Sequence, residues 1–220
     1  MGRRGKLGDK GSRHDAAYRR AKSEGFASRA IYKLEEIDKR FRLLQPGRRV
    51  VDLGCWPGSW MQYAAERVGE DGFVVGLDKR EVELALPTNA KAFVADVFAV
   101  DPADLVERFG DFNVVLSDMA PKTTGDRTTD MFRSEELTRR ALGFATTVLR
   151  PGGHFCAKVF VGGGFKTLLA DVGKSFSEVK PIHPKNTRSG SYEQYIVARG
   201  LKAGARTLDP GQAQDSSAEQ

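Results

Sequence analysis

The chain has 220 residues, 40% of them hydrophobic and 29% charged, which is neither a disordered nor a fibrous composition and fits one domain with appended tails. No apolar run approaches the ~20 residues that span a bilayer. The basic N-terminus lacks the apolar stretch of a secretory signal, and two Cys with three His are too scattered for a disulfide framework or a zinc site. The charge is uneven: residues 1–50 carry 15 Lys and Arg against 6 Asp and Glu, a net of +9, whereas residues 51–220 carry a net of −3. A cytoplasmic protein with no metal is expected, and a basic arm on a slightly acidic domain points to a polyanionic partner, most often nucleic acid.

In chain order, residues 1–13 are Gly- and Arg-rich and are expected to be mobile. Ala27–Phe41 predicts a helix, with Ser28 as candidate N-cap and Ile31, Leu34, Ile37 and Phe41 at helical spacing. After Gln45-Pro46-Gly47 the pattern alternates. RVVDLG predicts a strand and SWMQYAAERV a helix, followed by the strands FVVGLD and AFVAD, the helix PADLVERF and the strand FNVVLSD. SEELTRRALGFATTVL predicts a helix, Arg150 to Gly153 a break, HFCAKVF a strand and FKTLLADVGKSF a helix. SEVKPI and EQYIVAR, with no helix between them, predict an antiparallel hairpin that closes the sheet. Apolar strands separated by helices imply a parallel sheet covered on both faces. Residues 201–220 have almost no large apolar residues and read as a disordered tail.

The segment Asp52-Leu53-Gly54-Cys55-Trp56-Pro57-Gly58 is a glycine-bearing turn between a strand and a helix. In open α/β sheets ligands bind beyond the carboxyl ends of the strands. Gly54 and Gly58, lacking Cβ, allow close approach to the backbone. Asp78, 20 residues after Gly58, ends the next strand where a carboxylate accepts ribose hydroxyls. The spacing is not G-x-G-x-x-G, and Pro57 removes an N–H that a pyrophosphate cradle would use. All four of the first strands end in Asp: Asp52, Asp78, Asp96 and Asp118. Carboxylates repel phosphates but suit a sulfonium and an amino group, so S-adenosylmethionine is the expected cofactor. Ordinary strand-end aspartates beside a tight turn are the plain alternative.

The sequence resembles the RrmJ/FtsJ family of ribose 2′-O-methyltransferases over residues 15–200. The matching motifs are SRAIYKLEEID, VVDLGCWPGSW, GLDKR, Asp96-Val97, LSDMAP, AKVF and Ser191 to Tyr195. The resemblance implies a Rossmann-like class I methyltransferase, an α/β fold with a seven-stranded, mostly parallel sheet, helices on both faces and an antiparallel last strand. The chain then divides into a basic arm, 1–26, a methyltransferase domain, 27–200, and the tail, 201–220. The implied catalytic set is Lys33, Asp118, Lys158 and Glu193, and the implied cofactor contacts are Gly58, Trp60, Asp78, Asp96 and Asp118, to which the turn geometry adds Gly54. Ser59 and Lys122-Thr123-Thr124 depart from the pattern of bacterial members. The implied substrate is an A-loop uridine of 23S ribosomal RNA in the 50S subunit.

Methyl transfer to a 2′-hydroxyl is an in-line displacement that depends on positioning. Lys158, at the end of a central strand, is expected to act as base or as a charged amine orienting the oxygen. Phosphates would meet Arg3, Arg4, Lys6, Arg13, Arg19, Arg20, Lys22 and Arg29. Alternatives from the sequence are a tRNA or cap methyltransferase of the same fold, a non-catalytic ribosome assembly factor, and a nicotinamide-dependent oxidoreductase. A monomer is expected.

Overall fold

The computed structural model describes residues 8–187 and 191–207, the first eight of them by their backbone alone. Arg3, Arg4, Lys6, the side chain of Arg13 and residues 208–220 lie outside the described residues.

Seven strands form one sheet: β1 Arg49–Leu53, β2 Phe73–Asp78, β3 Ala90–Val94, β4 Phe112–Ser117, β5 Leu149–Phe160, β6 Phe176–Ile182 and β7 Glu193–Leu201. Their order is β3-β2-β1-β4-β5-β7-β6. The first five pair in parallel, and β7 runs antiparallel to both β5 and β6. The expected closing hairpin is present, with β7 inserted between β5 and β6 rather than added at the edge. Because side chains alternate across a strand, Val50, Val74, Val114 and Leu116 face one core with α2 (Ile31–Phe41) and α3 (Ser59–Val68). Val51, Leu53, Val75 and Val115 face the other, with α4 (Pro102–Phe109), α5 (Arg127–Val148) and α6 (Phe165–Ser175). The strand order reverses between β1 and β4, and that switch point is where such sheets offer a crevice.

Several boundaries differ from the sequence reading. The arm, expected to be mobile over residues 1–13, enters α1 (Gly8–Ser23) at Gly8. Ala16, Ala17 and Ala21 favour helix, and Ala21 is buried in the core shared with α2 and α3. The helix expected from Ala27 starts at Ile31. Ser28 Oγ instead accepts the Ala30 N–H at 3.2 Å and lies 2.8 Å from Ser59 Oγ, so it organises the turn ahead of the helix. Helix α5 starts seven residues before the expected Ser134, capped by Asp126, which accepts the Thr129 N–H at 2.6 Å. The expected break at Arg150 to Gly153 lies inside β5, where the pairing with β4 shifts register between Phe112 and Val114. Ordered contacts continue past residue 200: Leu201 is buried, Arg206 pairs with Asp111, and the Thr207 N–H donates to Thr146 O at 3.0 Å. Among the described residues, no helix is long and apolar enough to cross a membrane, and no His, Cys, Asp and Glu cluster could hold a metal ion.

Candidate active site

A cleft of about 490 Å³ opens at the carboxyl ends of the strands, with Gly54, Trp56, Asp78, Asp96, Phe98 and Asp118 among its lining residues. Gly54 has φ +78°, and a Cβ there would lie 2.6 Å from Met119 Cγ and 3.1 Å from Met119 backbone atoms, so only glycine lets the turn after β1 pass this close to the chain after β4. Gly58 caps α3 with φ +106°, and a Cβ would meet Leu84 and Val82. Gly58 therefore serves the close packing of the turn, and it is not part of the cleft lining.

Asp78 is held with both oxygens occupied: Oδ2 accepts the Trp56 N–H at 3.0 Å and Oδ1 the Arg80 N–H at 2.8 Å. The Arg80 guanidinium lies 3.4 Å from the centre of the half-exposed Trp56 ring. Asp96 pairs with Lys79 at 2.8 Å and accepts the Phe98 N–H at 3.1 Å, and these two contacts, Lys79 first, lower its pKa. Beneath the cleft, at the end of β1, Asp52 is fully buried with neither carboxylate oxygen hydrogen-bonded among the described residues. Burial, followed by the nearby Asp118 and Asp78, pushes its pKa up. The inner wall is thus rich in carboxylates, and two lining cations are engaged, Lys79 with Asp96 and Arg80 with Trp56. This donor set fits a nucleoside with hydroxyls and positive charge: ribose hydroxyls can donate to Asp78 or Asp96, and a cationic centre suits Asp118.

Four residues implied by the family resemblance come together next to this cleft. Lys158, 8% exposed, donates from Nζ to the backbone oxygen of Asp118 at 2.5 Å and to Asp118 Oδ1 at 2.9 Å. Lys33, on α2, donates to Glu193 Oε1 at 2.5 Å, 160 residues away in the chain. Tyr195 joins the two pairs. Its hydroxyl donates to Asp118 Oδ1 at 2.7 Å, its ring lies 5.8 Å from Lys33 Nζ, and it sits opposite Lys158 in the β5–β7 register. Burial, then Asp118, raises the Tyr195 pKa far above the ordinary phenol range, so it is a fixed donor at neutral pH. Glu193 shares the sheet face of Tyr195 by strand alternation, which is why Lys33 can reach it from α2.

Trp60 stands apart from its expected company. Its ring is buried against Tyr195 at 5.8 Å and its indole N–H donates to Ala30 O at 2.9 Å, so the side chain fastens α3 to the chain before α2 and is absent from the cleft lining. The first-turn N–H groups of α3 lack intrahelical partners by the geometry of a helix start, which suits them to a negatively charged group. Sequence reasoning gave no role to Tyr195, Trp56 or Phe98, and it counted Asp52 among the strand-end carboxylates facing a cofactor, whereas the structure buries it beneath the cleft. Tyr195 stands within a motif but looks like a core position, and only its tertiary contacts separate it from its apolar neighbours. Of the candidate phosphate contacts, Arg20 is committed to Glu24 at 2.7 Å and stacks over Tyr32 at 4.5 Å.

The model of the FtsJ-like methyltransferase family matches residues 26–201. The ribosomal RNA large subunit methyltransferase E of Desulfatibacillum aliphaticivorans is 44% identical over 186 residues, 84% of this chain and 90% of that protein. Its counterpart in Syntrophobacter fumaroxidans is 46% identical over 189 residues, 86% and 96% of the two chains. A solved structure described as a ribosomal RNA methyltransferase of Plasmodium falciparum is similar with a TM-score of 0.70 at 27% identity, covering 80% of this chain and 98% of that one.

Proposed function

Because the chain belongs to the FtsJ-like methyltransferase family, we propose that it methylates a ribose 2′-hydroxyl of large-subunit ribosomal RNA, an A-loop uridine presented on the 50S particle. The observation that carries this reading is the buried Lys158–Asp118 pair beside the carboxylate-lined cleft, linked through Tyr195 to Lys33–Glu193. Relatives at 44% and 46% identity bear the name of ribosomal RNA large subunit methyltransferase E, and the net charge of +9 in residues 1–50 suits a phosphate backbone.

S-adenosylmethionine supplies an electrophilic methyl group when bound. Asp78 and Asp96 would accept its ribose hydroxyls and amine donors, the turn at Gly54 would lie against it, and the first-turn N–H groups of α3, including that of Trp60, would take its carboxylate. Lys158 has three positions on nitrogen, and Asp118 occupies two of them. The third is left for the 2′-oxygen, which it either orients as a donor or relieves of its proton as an acceptor. Asp118 in turn is fixed by the Tyr195 hydroxyl. Lys33, held by Glu193 at the edge of the site, adds positive charge where a phosphodiester would pass. Most of the rate enhancement is then positional, since the oxygen is held in line with the methyl carbon.

Undermodified 50S subunits, free ribosomal RNA and bulk tRNA, each offered with tritiated S-adenosylmethionine, test the substrate. Label on the 50S particle alone is expected. Label on tRNA alone would move the substrate, and cofactor binding with no transfer to any RNA would turn the reading toward a binding role.

A further inference from the structure

Beside the two ion pairs is a cluster that the methyl-transfer chemistry does not use. Phe160 is two residues beyond Lys158 on β5 and opposite Glu193 in the sheet register, so by strand alternation it shares their face. Its ring meets that of Tyr192 edge-on, with centroids 4.9 Å apart and planes at 75°. The guanidinium of Arg127, the first residue of α5, lies 4.9 Å from the centre of the Tyr192 ring. Arg127 is exposed, Phe160 and Tyr192 are partly so, and no carboxylate among the described residues pairs with Arg127. The backbone beneath is fixed: the Val161 N–H donates to Tyr192 O at 2.8 Å, the Glu193 N–H to Ser191 Oγ at 3.1 Å, and the Phe160 N–H to Ser134 Oγ at 2.9 Å.

We propose that Arg127, Tyr192 and Phe160 form the seat of the target ribonucleotide, the two rings carrying its base and Arg127 its phosphate. The inference rests on the RNA-methylation reading above and deepens it. The rings give a base an apolar face without reading its identity, as single-stranded RNA sites commonly do. A guanidinium held over an aromatic ring and paired with no carboxylate among the described residues keeps N–H groups available to grip a phosphate. The seat adjoins Lys158 and Glu193 in the sheet, so a nucleotide held there brings its ribose to the ion pairs. Tyr192 needs no hydroxyl for this role, whereas Arg127 needs its charge.

The test measures kcat and KM for undermodified 50S subunits at several salt concentrations, with titration of S-adenosylhomocysteine as a separate readout. Tyr192→Ala is expected to raise KM, on the scale of roughly 5- to 150-fold for a lost stacking partner, and to leave the salt slope at the parental value. Tyr192→Phe is expected to keep the parental KM. Arg127→Ala is expected to raise KM and to flatten the salt dependence by about one counterion. All three are expected to bind S-adenosylhomocysteine as the parent does, which shows that they are folded. Parental KM values in both alanine variants of an active enzyme overturn the seat alone. A parent that transfers no methyl to any RNA removes the functional reading and the seat with it.

Discussion

Asp52 and its neighbours show how the site sets side-chain ionisation. Its carboxyl is buried at the foot of the cleft, unpartnered among the described residues, with Asp118 and Asp78 nearby and the Cys55 thiol, itself pushed up chiefly by burial, on the following turn. Lys158 is committed to Asp118 and does not relieve it. The folded state therefore keeps a proton on Asp52 that the unfolded chain releases near pH ~3.9. Above that pH the unfolded state binds fewer protons than the folded one, so this residue's contribution falls as pH rises toward its folded value. Asp52→Asn removes that term. In thermal unfolding scans, the Tm of the variant relative to the parent is expected to rise as pH increases above ~4 and to level off once pH passes the raised folded-state value. A difference that stays flat over this range would mean that Asp52 is ionised or partnered in the folded protein.

At the scale of elements, α2 carries Lys33 to the site, and its own exit is fixed by another buried carboxylate. Asp38 Oδ1 accepts the Leu44 N–H at 2.7 Å, and Oδ2 accepts the Tyr63 hydroxyl at 3.2 Å from α3. Between them the chain leaves the helix through Arg42 in the left-handed conformation. Asp38→Ala leaves two buried donors without partners and is expected to cost about 3 kcal/mol in denaturant unfolding, whereas a loss below about 1 kcal/mol would show that water or another acceptor replaces it. Most elements were legible because their limits are local. β1, β2 and β4 are β-branched runs stopped by Gly54, Asp78 and Asp118, and the limits of α3 and α4 agree with the sequence pattern to the residue. The start of α5 was not legible, since Thr128 and Thr129 are poor helix formers and the segment is held by Asp126 and by the buried Asp130, which accepts from Thr124 at 2.8 Å. Nor does periodicity reveal that β7 enters between β5 and β6. In the site, strand-end aspartates were readable because strands terminate locally, whereas the Tyr195–Asp118 bond spans 77 residues and exists only in the folded chain.

Over the whole molecule, the charge is divided as the chemistry requires: an N-terminal region of net +9 in residues 1–50 and a remainder of net −3 that includes the carboxylate-lined cleft. Under the proposed function, the basic N-terminal region adds long-range attraction to RNA, and the carboxylate-lined cleft receives the cationic cofactor. Replacing Arg3, Arg4 and Lys6 by Gln is expected to reduce the salt slope of RNA binding by up to about 2 to 3 while leaving S-adenosylhomocysteine affinity unchanged. Filter binding across a salt series checks this, and an unaltered slope would take those three residues out of the RNA contact. In the proposed reaction the Lys158–Asp118 pair directs methyl transfer to a 2′-oxygen, and alkali distinguishes that product from any base methylation, because a methylated 2′-oxygen can no longer attack the adjacent phosphate. The most direct measurement labels undermodified 50S subunits with tritiated S-adenosylmethionine, using the parent and Lys158→Ala, and digests the RNA with alkali. Label in an alkali-stable dinucleotide is expected with the parent, and none with a Lys158→Ala protein that still binds the cofactor. Label in mononucleotides would rule out 2′-O-methylation, and undiminished label with Lys158→Ala would remove Lys158 from the reaction.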